Sequence, residues 1–234
     1  MTRFVFDLAH RPAYGREDFL VAPCNGDAVA WLDRWPDWPA PALALYGPAG
    51  CGKSHLAQVW RRRSNAIEFG PGALETARLA ERLGEARAVI VEDADAALAA
   101  RAIEEEALLH LYNMLAERRG HLLLTARAAP ARWNVSLADL RSRLNAAPAV
   151  AVALPDQELI AGLLVKLFAD RQLRVGSELV TYLAARMERS FEAARKLVAA
   201  LDATALAGQR AITVPLARKV LEEIERAGAQ EREA

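Results

Sequence analysis

The residues best equipped for chemistry lie in "YGPAGCGKSH", positions 46–55. Gly47, Pro48, Ala49, Gly50, Cys51, Gly52, Lys53 and Ser54 satisfy G-x-x-x-x-G-K-S/T at every position. Glycines let backbone N–H groups converge on phosphate oxygens, and a helix opening at Lys53 adds its positive end. In this pattern the lysine reaches the β- and γ-phosphates and the Ser54 hydroxyl sits on Mg²⁺. A second, acidic element belongs on a neighbouring strand, to hold magnesium and orient a water. "VIVEDAD", 89–95, supplies it: Glu92 first, Asp93 next, Asp95 third. Glu92 stands where the shorter aspartate is usual, so the ion is held less tightly and hydrolysis by this chain alone is expected to be weak or absent. The plainer alternatives are a glycine turn and a solvent-facing strand end.

A third group is cationic. In "LADLRSRLN", 137–145, Arg141 and Arg143 are two positions apart. On a helix they point roughly 200° apart and cannot share one task. One is expected to pair locally while the other projects outward, either as an ordinary surface arginine or as a finger completing a neighbour's active site.

The elements that must carry these residues alternate. "ALALY" (42–46), "AIEF" (66–69), "AVIV" (88–91), "HLLLT" (121–125) and 149–153 read as short buried strands. Helical patterns occupy 25–34, 53–63, 73–85, 103–119 and 136–145. Alternation of this kind implies an α/β fold, a parallel sheet between layers of helices. After Pro155 the pattern turns to amphipathic helix at 156–171, 176–187, 190–207 and 214–227, with "GQRAITV" as a link that could extend into a strand. The expected division is a leader at 1–15, an α/β body at 16–154, a small helical domain at 155–228 and a frayed tail at 229–234.

Composition narrows the class. The chain has 234 residues, and its 30 basic and 30 acidic side chains cancel, so no global field favours nucleic acid. Of two cysteines, Cys51 sits in the loop that must wrap phosphate, which argues for a reducing compartment. The four histidines lack metal-ligand spacing. The N-terminus has no signal-peptide core, and the most apolar stretch, 146–155, is half the length of a membrane helix. A soluble cytoplasmic protein with no membrane contact is expected.

With these pieces placed, the chain resembles an AAA+ P-loop NTPase of the DnaA clan over almost its full length. "EDFLVAPCNGDAVAWL" (17–32) is similar to the start of the DnaA ATPase core, which implies Phe19, Val21 and Asn25 near the adenine. "GPAGCGKSH" matches the clan's phosphate loop, and "VIVEDAD" takes the place of its acidic strand end. "LLLTARAAPARW" (122–133) resembles the sensor 1 strand, with Thr125 as the polar sensor. "LADLRSRL" resembles the segment bearing the arginine finger, which assigns that role to Arg143. The chain stops just after the helical lid, where the initiator DnaA carries a DNA-binding domain, so no direct sequence-specific DNA reading is expected. Core, lid and short leader together are similar to the Hda (HdaA) regulators.

That resemblance implies a function. With ADP or ATP and Mg²⁺ bound, and docked on the DNA-loaded sliding clamp (the β subunit of DNA polymerase III), such a protein promotes hydrolysis of the ATP held by DnaA and blocks re-initiation. Self-association is compatible with it. Three departures stand out. The clamp-binding peptide resembles Q-L-x-L-x-L, whereas here Phe4, Phe6 and Leu8 keep the apolar alternation and Arg3 replaces the glutamine. Arg127 follows Thr125 where an acid is familiar. In "MERSFEAARKL" the sensor 2 position falls on Glu192, with Arg189 and Arg195 one turn to either side; Arg195 is favoured. The rival readings are a helicase loader or other DnaA-related remodeller, and a small-molecule P-loop kinase.

Overall fold

The structure is a computed structural model describing residues 21–70, 74, 76–208 and 210–233. It divides into an α/β unit, Pro23–Ala153, and a helical unit that takes in Leu154–Ala234.

In the α/β unit, β1 (Ala42–Tyr46), β2 (Ile67–Phe69), β3 (Ala88–Val91), β4 (His121–Ala126) and β5 (Ala149–Ala151) form one parallel sheet in the order β2-β3-β4-β1-β5. The central strands β1, β3 and β4 are almost wholly buried, and their continuous apolar runs are what a sheet covered on both faces requires. Side chains alternate across it. Ala42, Ala44, Val89, Val91, Leu122 and Leu124 join one core cluster with residues of α5 (Glu105–Glu117) and α6 (Ala138–Ala146), such as Leu108, Leu111, Leu140 and Leu144. Helix α2 (Lys53–Ser64) packs on β3 and β4, and α1 (Gly26–Asp33) on β5.

Register decides which residues meet. Tyr46 pairs with Ala126 on one side and Ala151 on the other, and Val91 with Leu124. The carboxyl ends of β1, β3, β4 and β5 therefore open on one edge of the sheet, where parallel α/β folds place their ligands. Gly47 leaves β1 there, with its N–H donating to Ala126 O at 3.1 Å.

Several elements differ from expectation. The helix expected over 73–85 is a 3₁₀ turn, Thr76–Arg78, running into the single turn of α3 (Leu79–Leu83). A helix not anticipated, α4 (Ala94–Ala99), follows the acidic segment directly, so the helix expected from 103 is shortened at its start to Glu105. Strand β5 stops at Ala151 rather than 153.

The helical unit holds α7 (Gln157–Asp170), α8 (Ser177–Arg186), α9 (Phe191–Gly208) and α10 (Val214–Glu233) among the described residues. Asp156 caps α7, its carboxylate accepting Leu159 N–H at 2.7 Å, a bond worth about 1 kcal/mol. Ile160, Leu164, Phe168, Leu183, Leu197 and Leu201 fill its core. The link at Arg210–Thr213 is not a strand, and α10 runs to Glu233, through the segment expected to fray. No helix among the described residues is long and apolar enough to cross a membrane.

Candidate functional site

The loop between β1 and α2 is shaped by what glycine alone tolerates. A Cβ on Gly47 would lie 2.0 Å from Val152 O, so strand and loop approach too closely for any side chain. Gly52 precedes α2 with φ 101°, a left-handed conformation that costs other residues strain. Helix α2 has no acidic side chain of its own in its first turn, so nothing on the helix itself offsets the positive end that faces the loop.

Lys53 is 7% exposed. Its ammonium donates to Gly47 O at 2.8 Å and Pro48 O at 2.9 Å, with Cys51 Sγ at 3.8 Å. The loop thus wraps its own lysine, placing the cation at its centre. Burial pushes the Cys51 thiol up, against the pull of Lys53, which keeps the sulfur in its unreactive form.

Across the sheet edge, Ser54 Oγ donates to Glu92 Oε2. Burial raises the Glu92 carboxyl above the usual carboxylate range; the Ser54 bond opposes this, Glu68 and Asp93 add to it, and Lys53 counters. The Ser54 hydroxyl and Glu92 carboxylate are oxygen donors of the kind a hard divalent cation takes. Among the described residues no group of three or more His, Cys, Asp or Glu could hold a metal by itself, so such an ion would need phosphate and water oxygens to complete its shell.

The three acids of "VEDAD" separate in function. Asp93 takes a left-handed conformation, φ 47°, and its N–H donates to Thr125 Oγ1 at 2.9 Å. Thr125 is fully buried and ties the end of β4 to the acidic turn. Asp95 does not face the loop chemistry assigned to it as a third candidate. Its carboxylate accepts Arg127 N–H at 2.8 Å and Ala128 N–H at 3.1 Å, pinning the chain beyond β4. Asn25, buried at 3% exposure, precedes α1. Ala153 N–H donates to the neighbouring Cys24 O, which holds this turn against the chain leaving β5.

Neither arginine of α6 projects freely, contrary to expectation. Arg141 Nη1 donates to Val135 O at 3.2 Å. Arg143 Nε donates to Asp139 Oδ1 at 3.0 Å, and its guanidinium stands 5.4 Å from the Tyr112 ring centroid. Helical spacing places Asp139 four residues before Arg143, within reach of the long side chain. Arg143 nevertheless remains 37% exposed and Asp139 53% exposed, so the pair lies at the surface rather than inside.

Of the lid candidates, Glu192 is paired with Lys196 at 2.7 Å, while Arg195 lies on α9 and Arg189 just before it. Arg3, Phe4, Phe6, Leu8 and Phe19 lie outside the described residues. The residues that sequence reasoning did not single out are Glu105 and Tyr112. Tyr112 reads only as one of several apolar positions at helical spacing, and nothing in its pattern announces a cation above it.

Residues 156–221 match the family model described as Hda, lid domain. The chain is 25% identical to the chromosomal replication initiator protein DnaA of Magnetococcus marinus, an alignment covering 92% of this chain and 53% of that protein. It therefore spans about half the length of that relative. Domain III of Thermotoga maritima DnaA superposes with a TM-score of 0.71 at 16% identity, covering 91% of this chain and 97% of that one. DnaA from Aquifex aeolicus bound to AMPPCP superposes with a TM-score of 0.68, also at 16% identity, over 94% of this chain and 71% of that one. The strand order and the helical unit agree with these superpositions: the chain has the AAA+ fold seen in domain III of DnaA, and its helical unit is similar to the Hda lid domain.

Proposed function

We propose that the protein is a nucleotide-holding regulator that presents Arg143 to the ATP bound by DnaA. Docked on the DNA-loaded sliding clamp through Phe4, Phe6 and Leu8, it promotes hydrolysis of that ATP, leaves DnaA with ADP and prevents replication from restarting. The observation that carries this reading is the union in one chain of a DnaA-like α/β unit and an Hda lid.

In this reading the nucleotide is gripped rather than consumed. Backbone N–H groups of 47–52 and the positive end of α2 bind the phosphates. Lys53 exchanges its carbonyl partners for phosphate oxygens, which, being anionic, form stronger charge-assisted bonds. Asn25 borders the base. Ser54 and Glu92 would hold Mg²⁺ on this chain, where the ion would neutralise phosphate charge. Glu92, already raised by burial beside Glu68 and Asp93, is a poor aid to water activation, and Asp93 has its backbone tied to Thr125. Slow turnover by this chain alone is the consequence.

Arg143 acts outward. An arginine supplied in trans stabilises charge on the transferring phosphoryl group and is worth about 10³-fold or more in kcat. The test is DnaA ATP hydrolysis measured with purified DnaA, clamp loaded on DNA, and this protein. Arg143→Ala is expected to abolish the stimulation while leaving nucleotide binding to this chain intact. Stimulation equal to wild type would overturn the reading. Clamp binding by wild type and Arg3→Gln tests the docking step, with tighter binding expected in the variant because glutamine's hydrogen bonds are restored. Binding by neither would remove the clamp.

A further inference from the structure

Helix α5 does more for α6 than cover the sheet. The Glu105 carboxylate accepts Ser136 N–H at 2.8 Å and Leu137 N–H at 2.6 Å, gripping the chain where it turns into α6. Two turns along the same face of α5, the Tyr112 ring lies beneath the Arg143 guanidinium at 5.4 Å. The ring is buried, packed in the core with Leu111 and Leu115, so it offers a fixed face. The other contact is different in kind. Asp139 is exposed and on the same helix as Arg143, and an exposed pair at this spacing is weak and easily exchanged.

We propose that Tyr112 is the positioning residue of Arg143: its ring fixes the guanidinium at the surface of α6, and Asp139 is a provisional counter-ion that the terminal phosphate of a neighbour's nucleoside triphosphate displaces. The inference rests on the finger reading of Arg143. A long arginine on a bare surface samples many rotamers, and ordering it at the moment of reaction costs free energy. A ring that holds the guanidinium beforehand removes part of that cost. The carboxylate keeps the charge compensated until a stronger anion arrives.

Two independent measurements test it. The first concerns this protein alone. Burial raises the Tyr112 phenol and Arg143 lowers it, so Arg143→Gln must raise the phenol titration further, read by NMR of ring-labelled tyrosine and assigned by Tyr112→Phe. An unmoved titration would mean the guanidinium does not sit on the ring, and the inference would fail whatever Arg143 does to DnaA.

The second is the DnaA assay. Tyr112→Leu is expected to lower maximal stimulation about two- to five-fold, as loss of a cation–π contact implies, without changing the concentration that gives half the effect. Tyr112→Phe keeps the ring and should behave as wild type. Asp139→Asn should stimulate at least as well as wild type. Equal stimulation by Tyr112→Leu and wild type, an equal defect in Tyr112→Phe and Tyr112→Leu, or a loss in Asp139→Asn would each overturn the proposal. These outcomes differ from failure of the finger reading itself, in which Arg143→Ala retains full stimulation and no variant of its support has an effect.

Discussion

The two ends of the central sheet strands are built on opposite principles. At the carboxyl ends stand Gly47, Lys53, Glu92 and Thr125, joined by hydrogen bonds in which backbone groups often take part. At the amino ends stand Trp35, Trp38, Trp60 and His121. Trp38 stacks on Trp60 with ring centroids 5.4 Å apart, and His121 meets Trp38 edge-on at 5.3 Å. Strands β1 and β4 run between the two ends, from Pro41 and His121 to Gly47 and Thr125. A polar, adjustable end can serve a ligand because an aromatic end secures the strands that reach it.

The most severe way to break the contrast is at Trp60, which is 1% exposed. Trp60→Ala removes the ring beneath Trp38 and leaves a cavity, at a cost of about 3–5 kcal/mol. Chemical denaturation should show a loss of that size, whereas nucleotide affinity per folded molecule should stay within about two-fold, since the lesion lies at the far end of the strands. Trp60→Phe refills much of the space and removes an indole N–H that has no partner, so it should cost distinctly less.

The reverse lesion is Lys53→Ala. It deletes the cation at the loop's centre and, on the proposed reading, about 1.5–3 kcal/mol of charge-assisted bonding to phosphate. Nucleotide affinity measured by titration should fall about 10- to 100-fold. The melting temperature without nucleotide should also fall, because the buried Gly47 carbonyl loses its partner while Pro48 lies at the surface, a loss of about 1–3 kcal/mol that stays below the one expected at Trp60. A large loss of stability with unchanged affinity would reverse the assignment of the two ends.

The two ends also differ in how legible they were. The phosphate loop was readable because its chemistry is backbone chemistry with a fixed spacing, and "ALALY" because a buried parallel strand is a short unbroken apolar run. Nothing in the sequence announces the aromatic end: Trp60 falls in the helical pattern at 53–63 and His121 opens the strand at 121–125, and the two meet Trp38 only through tertiary packing. Asp95 looked like a member of the acidic site, yet it holds Arg127 and Ala128 N–H groups, a job visible only once β3 and β4 are adjacent. Helix α4 leaves no signature in the sequence because six residues are too few to show a period. Arg143 was found by spacing and resemblance, but its support from Tyr112 and Glu105 belongs to another helix.

A subtler probe of the polar end is Glu92→Gln. The native carboxyl is raised in the folded protein, so it binds protons more readily there than when unfolded. Such a group costs stability once pH rises through its raised value, and the cost is relieved at lower pH. The amide carries no charge to desolvate. Glu92→Gln should therefore melt slightly higher than wild type at neutral pH, with the difference vanishing toward acid. Its Mg²⁺-dependent gain in nucleotide affinity should shrink. A lower melting temperature at neutral pH would mean that the carboxylate's bond with Ser54 outweighs its burial.

His121 offers the mildest test, and it titrates the opposite end. Burial lowers it below the ordinary 6.5, while a hydrogen bond to the Pro36 backbone and the charge of Asp37 oppose the shift. The unfolded chain therefore takes up this proton first as pH falls. Its contribution to stability is whole above about 6.5 and declines as pH drops through that value toward the lowered one, by less than about 1.4 kcal/mol per pH unit for a single proton. Denaturation curves of wild type and His121→Gln, compared between about pH 5 and 7, should diverge in pH dependence within that window. The carboxylate end responds in the opposite sense, since Glu92 is relieved by acid and His121 is strained by it. Wild-type stability rising as pH falls below 6.5, relative to His121→Gln, would show that Asp37 and the Pro36 carbonyl hold a protonated imidazole among the tryptophans, and that the aromatic end is the more polar of the two.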